Sequence, residues 1–433
     1  MPLAPPRGTA TRFVAILVAA IFPLLHLAAC GGGGSAEAPG SAPPPPPEPL
    51  PPSSAGSVAF VGVDVVPMDS ELLLVDQTVL VRAGRIEAVG ARADLLVPAD
   101  ATEIDGTGLV LMPGLTDMHV HLDEADLPAY LAGGITSVRN MWGHDAINDM
   151  RQRIASGTLT GPTVYSTSPG IDGPPAKWPV TQIVETPAEA EATVARLAGA
   201  GWTMLKVYQD LRPEVYAAVV AAAAAHGVTF MGHVPHRVGL RNVLLAGQAS
   251  VEHLGGYDIE LCGARGAAAW SNMNAERIPV LATWTWESGT YVSPTLVVLK
   301  ALSEQNSTPS DAATAIANRR VLVGALHDAY VPILLGTDSG IDIVVPGSSL
   351  HDELQELVAS GLSPYEALAA GTVVAARFLG EESEFGAVRE GLRADLLLLG
   401  ANPLADVAAA AEPLGVVANG RWYPRDALVA RAH

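Results

Sequence analysis

Between about residues 114 and 380 the chain alternates two textures, short apolar runs bounded by turn residues and longer Ala-rich stretches. Eight runs read as strands: "LTDMHVHL", "ITSVRNMWG", "TVYSTSPG", "TMLKVYQD", "VTFMGHVP", "SVEHLGGYD", "YVSPTLVVL" and "ILLGTDSG". Segments between them, such as "RPEVYAAVVAAAAAHG" and "SPYEALAAGTVVAARFLG", have helical composition. In the latter, Ser363 suits an N-cap, Pro364 the first helical position and Glu366 the return half of a capping box. Eight β/α repeats of this size predict a (β/α)8 barrel of TIM type, with functional groups at the C-terminal ends of its strands. A chain that is 49% hydrophobic has the side chains to fill such a core.

The two ends differ from this middle. Residues 58–113 run in short alternating strand-like pieces, and "RADLLLLGANPL" and "LGVVANGRWYP" repeat that style within 383–433. We expect one small β-sandwich built from both termini, flanking a barrel over residues 114–382.

The first 57 residues cannot join either unit. Arg7 and Arg12 precede the apolar run Phe13–Ala29, which ends in small residues, the layout of an export signal. The run is short for a membrane-spanning helix, the competing reading, and carries Pro23 and His26. Its end, "LAAC", resembles the lipobox of bacterial lipoproteins, which would make Cys30 the lipidated mature N-terminus. Residues 31–57, rich in Gly, Ser and Pro, then read as a tether. The expectation is an exported lipoprotein anchored to a membrane and facing the periplasm or the cell exterior. Cys262, the second cysteine, is left as a lone structural thiol.

Formal net charge is −20 and no run of Lys or Arg occurs. That composition argues against nucleic acid and anionic membrane surfaces as partners and says little about substrate, which is expected to be a small molecule.

Two histidines sit at i and i+2 in "MHVHL", so His119 and His121 share one strand face while Met118, Val120 and Leu122 take the other. Taken alone, such a pair can equally be hydrogen-bonded core histidines. His233 in "MGHVP", His253 in "VEHLGG" and Asp338 in "LLGTDSG" lie near the C-terminal ends of their own strands and converge on the same mouth. Nitrogen and carboxylate donors on a rigid scaffold suit Zn²⁺, with Mn²⁺, Fe²⁺ or Co²⁺ as alternatives.

Lys206 sits in the middle of the apolar run "TMLKVYQD", in a chain whose other lysines are Lys177 and Lys300. Burial depresses a lysine pKa and leaves a neutral, nucleophilic amine. Such an amine can capture CO₂ to give an N-carboxylysine, an anionic bridge between two metals. Two divalent ions against that carbamate, Asp338 and a hydroxide leave one net positive charge to polarise a substrate. The alternative is a lysine paired with an acid such as Asp210.

With these motifs, and with "LMPGLTDMHVHL", "GHVPH", "SVEHL", "GTDSG" and "RADLLLLGANPL", the chain from about residue 57 onward resembles the amidohydrolase superfamily, in its imidazolonepropionase-like and Xaa-Pro dipeptidase-like branch. The resemblance implies a barrel with a small β-sandwich and a binuclear site of His119, His121, carboxylated Lys206, His233, His253 and Asp338. It implies a metal-dependent hydrolase that cleaves an amide-type C–N bond with a metal-activated hydroxide. Asp338 would be ligand and proton shuttle, and Tyr208, two residues beyond Lys206, a donor to the developing oxyanion. His144 and His236 are candidate substrate contacts. Two departures narrow the reading: His236 stands where deaminases of this superfamily carry a glutamate, and "KVYQD" lacks the Gly-rich segment frequent in the dipeptidase branch. Two other readings compete. One is a mononuclear cyclic-amide hydrolase whose single metal sits on His119, His121, His233 and Asp338, with His253 touching substrate; the other is a non-catalytic, ligand-binding surface lipoprotein.

Overall fold

The computed structural model describes residues 57–430, so the expected export signal, Cys30 and nearly all of the expected tether lie outside the described residues. Among the described residues no helix is long and apolar enough to cross a membrane.

Along the chain, five strands come first: β1 (Val58–Val65), β2 (Leu74–Arg82), β3 (Arg85–Ala91), β4 (Thr102–Asp105) and β5 (Val110–Pro113). The middle supplies β6 (Leu115–Val120), β7 (Ile135–Asn140), β8 (Thr163–Ser166), β9 (Gly170–Asp172), β10 (Gln182–Ile183), β11 (Met204–Val207), β12 (Thr229–Gly232), β13 (Ser250–Glu252) and β14 (Tyr291–Ser293). The chain closes with β15 (Leu396–Leu399), β16 (Gly415–Ala418) and β17 (Arg421–Pro424).

Both ends meet and hydrogen-bond as one eight-stranded mixed sheet of order β17-β16-β15-β5-β1-β2-β3, with β4 paired on β1. The cause lies in β1, which pairs with β4 through Val58–Val61 and with β5 through Asp64 and Val65. Register shifts on either side of Val63 let one long strand bend and serve both neighbours. Phe60, Val63, Val81, Leu111, Leu396 and Val417 form this sheet's own apolar core.

In the middle, parallel pairing gives β6-β7-β8 and β10-β9-β11-β12-β13-β14, with helices such as Pro213–His226 between strands. The Pro364–Ala370 helix opens on Ser363, whose hydroxyl accepts from the Glu366 N–H while the Glu366 carboxylate accepts from the Ser363 N–H. Seven of the eight expected runs contain a strand. The eighth, "ILLGTDSG", does not form a ladder. It is held between β14 and β6 by single bonds: the Val292 N–H donates to Pro332 O (3.0 Å), the Met118 N–H to Leu335 O (2.8 Å), and the Asp338 N–H to His119 O (2.7 Å). The reason is local. Asp338 is left-handed (φ 67°) and Gly340 has φ 93°, which breaks a pleat. A Cβ at Gly340 would lie 1.8 Å from His121 O, so only glycine lets this segment pass against β6. Val120 and Leu122 enter the main core, whereas Met118 packs with Leu334 and Ala375. The opposite face of β6 is left to the histidines.

Candidate metal centre

β6 delivers the first two imidazoles, and a buried acid fixes where they stand. Asp117 accepts from the backbone N–H groups of His119 and Thr337 (3.1 Å each) and from the Thr337 hydroxyl (2.6 Å). This ties the histidine strand to the loop that carries Asp338. His233 follows β12, its N–H donating to Val207 O (3.1 Å). His253 follows β13 in a left-handed conformation (φ 60°), its N–H donating to Ser293 O (3.0 Å) and its Nδ1 lying 2.7 Å from the Thr295 hydroxyl. Non-glycine residues at positive φ cost energy and concentrate at functional sites. Here both His253 and Asp338 carry that conformation.

The five side chains form one cluster. Ring centroids lie 5.6 Å apart for His119 and His121, 4.5 Å for His119 and His253, and 4.8 Å for His233 and His253. Asp338 Oδ1 lies 3.2 Å from His119 Nε2 and 3.1 Å from His121 Nε2. Lys206, fully buried on β11, is close enough for its charge to act on His233, His253 and His121. Asp210 is not its partner, because that carboxylate faces Lys177 (3.3 Å) and His236 (3.6 Å).

Burial dominates the electrostatics. It pulls His253 down to about 3, His233 well below the ordinary histidine value, and His121 lower too, so these rings are neutral, the form that ligates metal. It also lowers the Lys206 ammonium to about 8, against the pull of the Glu252 and Asp338 carboxylates.

Sequence reasoning passed over two residues behind the cluster. Glu252, wholly buried, accepts from His119 Nδ1 (2.7 Å) and from Arg139 Nη2 (3.0 and 3.1 Å to its two oxygens). Arg139, also wholly buried, donates on to Met118 O (2.5 Å) and to Ser250 Oγ (3.2 Å). Glu252 stands inside the quoted "VEHLGG", one residue before a candidate ligand, and a charged residue in a strand dry on both faces was the available signal.

That acid decides whether a cation fits. A carboxylate only accepts, so His119 carries its proton on Nδ1 and turns the lone pair of Nε2 inward. There it meets Asp338 Oδ1; both atoms are buried and neither has a hydrogen-bond partner. Two lone pairs facing each other across that gap are unfavourable unless a cation lies between them. Donor atoms of His119, His253 and Asp338 all fall within 4.8 Å of one another. The residues fit a divalent metal ion.

Tyr208 packs on His233 with centroids 4.2 Å apart, and its phenolic oxygen accepts from Trp178 Nε1–H (2.9 Å). His144 shares with His121, Trp142 and Trp178 the wall of a cavity of about 460 Å³. His236 lies away from that wall, between Asp210 and Arg265.

Fold and site together define an α/β protein presenting a His/His/Asp metal-type cluster at the ends of parallel strands. Residues 110–423 match the model of the Amidohydrolase family, and the chain belongs to that family. An ochratoxinase from Aspergillus niger is 27% identical over 425 residues, covering 81% of this chain and 83% of that protein. A solved structure from Bifidobacterium longum, provisionally named a prolidase, is 27% identical with a TM-score of 0.72, covering 87% of this chain and 99% of its own. A Xaa-Pro dipeptidase structure with bound methionine matches in fold, with TM-score 0.69 at 20% identity, covering 85% of this chain and 100% of its own. These neighbours imply a TIM-barrel-like α/β fold, and the protein is a hydrolase acting on carbon–nitrogen bonds.

Proposed function

We propose that the protein is a metal-dependent hydrolase of amide-type C–N bonds in small molecules, with N-acyl amino acids, dipeptides and cyclic amides as the substrate field. The observation that carries this is the buried, unpartnered pair of His119 Nε2 and Asp338 Oδ1 within a cluster of neutral imidazoles. In this reading 114–382 closes as a (β/α)8 barrel, and 58–113 with 383–433 form the accessory unit. His119, His121, His233, His253 and Asp338 would hold two divalent ions, zinc first among Zn, Mn, Fe and Co, and a carboxylated Lys206 would add an anionic oxygen ligand shared between them. Bound there, the metal supplies an activated water and polarises the carbonyl.

The chain's own groups do the rest. Asp338 takes the water's proton and returns it to the leaving nitrogen, so that C–N breaks as C–O forms and the amine leaves neutral. Tyr208 uses its oxygen to accept from Trp178, which leaves its O–H free to donate to the oxygen where negative charge develops. Trp142, Trp178, Val180 and Ile341, beside His121, offer an apolar wall for the acyl group. Similarity to an ochratoxinase along most of the chain supports hydrolysis of an amide bond. His144 stands on that wall as a substrate contact, and His236 at the rim is the weaker candidate. The mononuclear reading is disfavoured by His253, which it gives to the substrate but which groups tightly with His119 and Asp338. Lipidation at Cys30 and export complete the proposal, supported by the sequence of residues 1–57.

The test is hydrolysis of a panel of N-acyl amino acids, dipeptides, lactams and lactones by the metal-loaded protein. Release of amine from at least one amide is expected. Turnover of lactones alone would move the reading to C–O bonds.

A further inference from the structure

Buried arginines in this protein come with a carboxylate. Arg139 has Glu252, and the largely buried Arg393 has Asp395 at 2.6 Å. Arg319, 6% exposed in the Pro309–Asp328 helix, breaks the pattern and forms no salt bridge among the described residues. Its guanidinium lies 5.1 Å from the centroid of Trp270, and Nη1 alone is used, donating to Ser303 Oγ (2.8 Å) and Leu299 O (3.3 Å). Nε and Nη2 have no protein acceptor among the described residues. Asp258, the acid on the same wall, contacts Arg265 at 4.0 Å and acts on Arg319 only from beyond salt-bridge distance. A desolvated cation whose free N–H groups touch no carboxylate is costly.

Arg319 lines a cavity of about 340 Å³ between the Ala267–Asn272 turn and the Leu296–Asn306 helix. At one end of that cavity stands His253, a residue of the metal cluster. The cavity therefore joins Arg319 to the edge of the cluster, and one molecule can span both. The free guanidinium edge has the planar two-donor fork that matches a carboxylate. Asn306 and Trp270 add an amide and an aromatic face to the same wall.

We propose that this cavity is a carboxylate subsite, in which Arg319 binds an organic acid group of the substrate and selects anionic amides over neutral ones. The proposal rests on the hydrolase reading only for the word substrate; the binding itself does not need turnover.

The experiment is calorimetric titration of the metal-loaded protein with 3-phenylpropionate and with neutral 3-phenylpropanol. Wild type should prefer the acid by about 10- to 100-fold, the range of a hydrogen bond to a charged group. R319Q should bring the two ligands within about threefold of each other at unchanged metal content, and R319K should keep part of the preference. An acid preference that survives R319Q places the carboxylate on the metal and overturns the proposal, as does no preference in wild type. Were R319Q not to fold, a wild-type crystal soaked with 3-phenylpropionate decides: its carboxylate lies on the Arg319 guanidinium, or the proposal is wrong. Arg319-dependent binding without hydrolysis of any amide would sink the hydrolase reading and leave the subsite standing.

Discussion

Replacing Glu252 by Gln probes the support of the metal centre, because one carboxylate there accepts four hydrogen bonds from three donors. They are His119 Nδ1 at 2.7 Å, Arg139 Nη2 at 3.0 and 3.1 Å, and the Ser250 hydroxyl. Glutamine offers a single, uncharged oxygen: at the Oε1 position it leaves His119 without an acceptor, and at Oε2 it keeps His119 but turns its NH₂ against the Arg139 Nη2 donor. Arg139 is also left as a wholly buried charge with no counter-ion. Breaking a buried pair by removing one partner costs about 3–5 kcal/mol. Loss of the acceptor behind a metal-bound histidine weakens metal binding by about 10–100-fold. Glu252→Gln should therefore lower the urea-unfolding free energy of the chelator-treated protein by about 3–5 kcal/mol. Zinc affinity, read by competition with a chelating dye, should fall by about 10–100-fold. Arg139→Met should destabilise comparably, and the double variant should cost clearly less than the sum, as contacting groups do. If Glu252→Gln unfolds within about 1 kcal/mol of wild type, below the usual cost of a broken buried pair, and binds zinc as tightly, the supporting role is refuted.

Four further outcomes are expected. Lys206→Ala should drop metal content from two equivalents per chain toward one and remove most activity; unchanged stoichiometry would speak against a bridging carbamate. Asp338→Asn should lower kcat by about 10²–10⁴-fold while the histidines keep a metal, and retention of a tenth of the rate would pass the shuttle role to His253. Glu353, fully buried and accepting from the N–H groups of Leu296 (2.8 Å) and Val297 (2.7 Å), is pushed up to about 8 by burial. A carboxyl raised in the folded state stabilises below its unfolded value and loses that contribution as pH climbs through its folded value. Glu353's contribution to stability should accordingly decline between about pH 4.5 and 8, and Glu353→Gln should remove it, so that the difference between wild type and variant in urea unfolding shrinks across that range; a constant difference would exclude Glu353 as its source. Cys30→Ser should abolish incorporation of labelled lipid, and continued labelling would place the attachment elsewhere.

Strand periodicity carried much of this architecture. A period of two put His119 and His121 on one face, and turn chemistry marked Ser363–Pro364–Glu366 as a helix start, because both follow from neighbours in sequence. The eighth segment was misjudged for the converse reason. "ILLGTDSG" is apolar enough for a strand, but its backbone is set by tertiary demands, the left-handed Asp338 and the passage of Gly340 against His121. How β1 divides its two edges was likewise not legible, since it depends on register, which composition does not encode. Glu252, Arg139 and Arg319 escaped notice because a charge in an apolar run signals burial without naming its partner. Glu252 and Arg139 lie more than a hundred residues apart in sequence, and Trp178 reaches Tyr208 from a separate loop.

Stepwise return of zinc to chelator-stripped protein, with hydrolysis of an N-acyl amino acid followed at each addition, tests the central claim most directly. Activity should start near zero and rise with added metal until it saturates at two equivalents per chain. A stripped protein that keeps its full rate, or a fully loaded one that cleaves no amide, would contradict a metal-dependent hydrolase built on His119, His253 and Asp338.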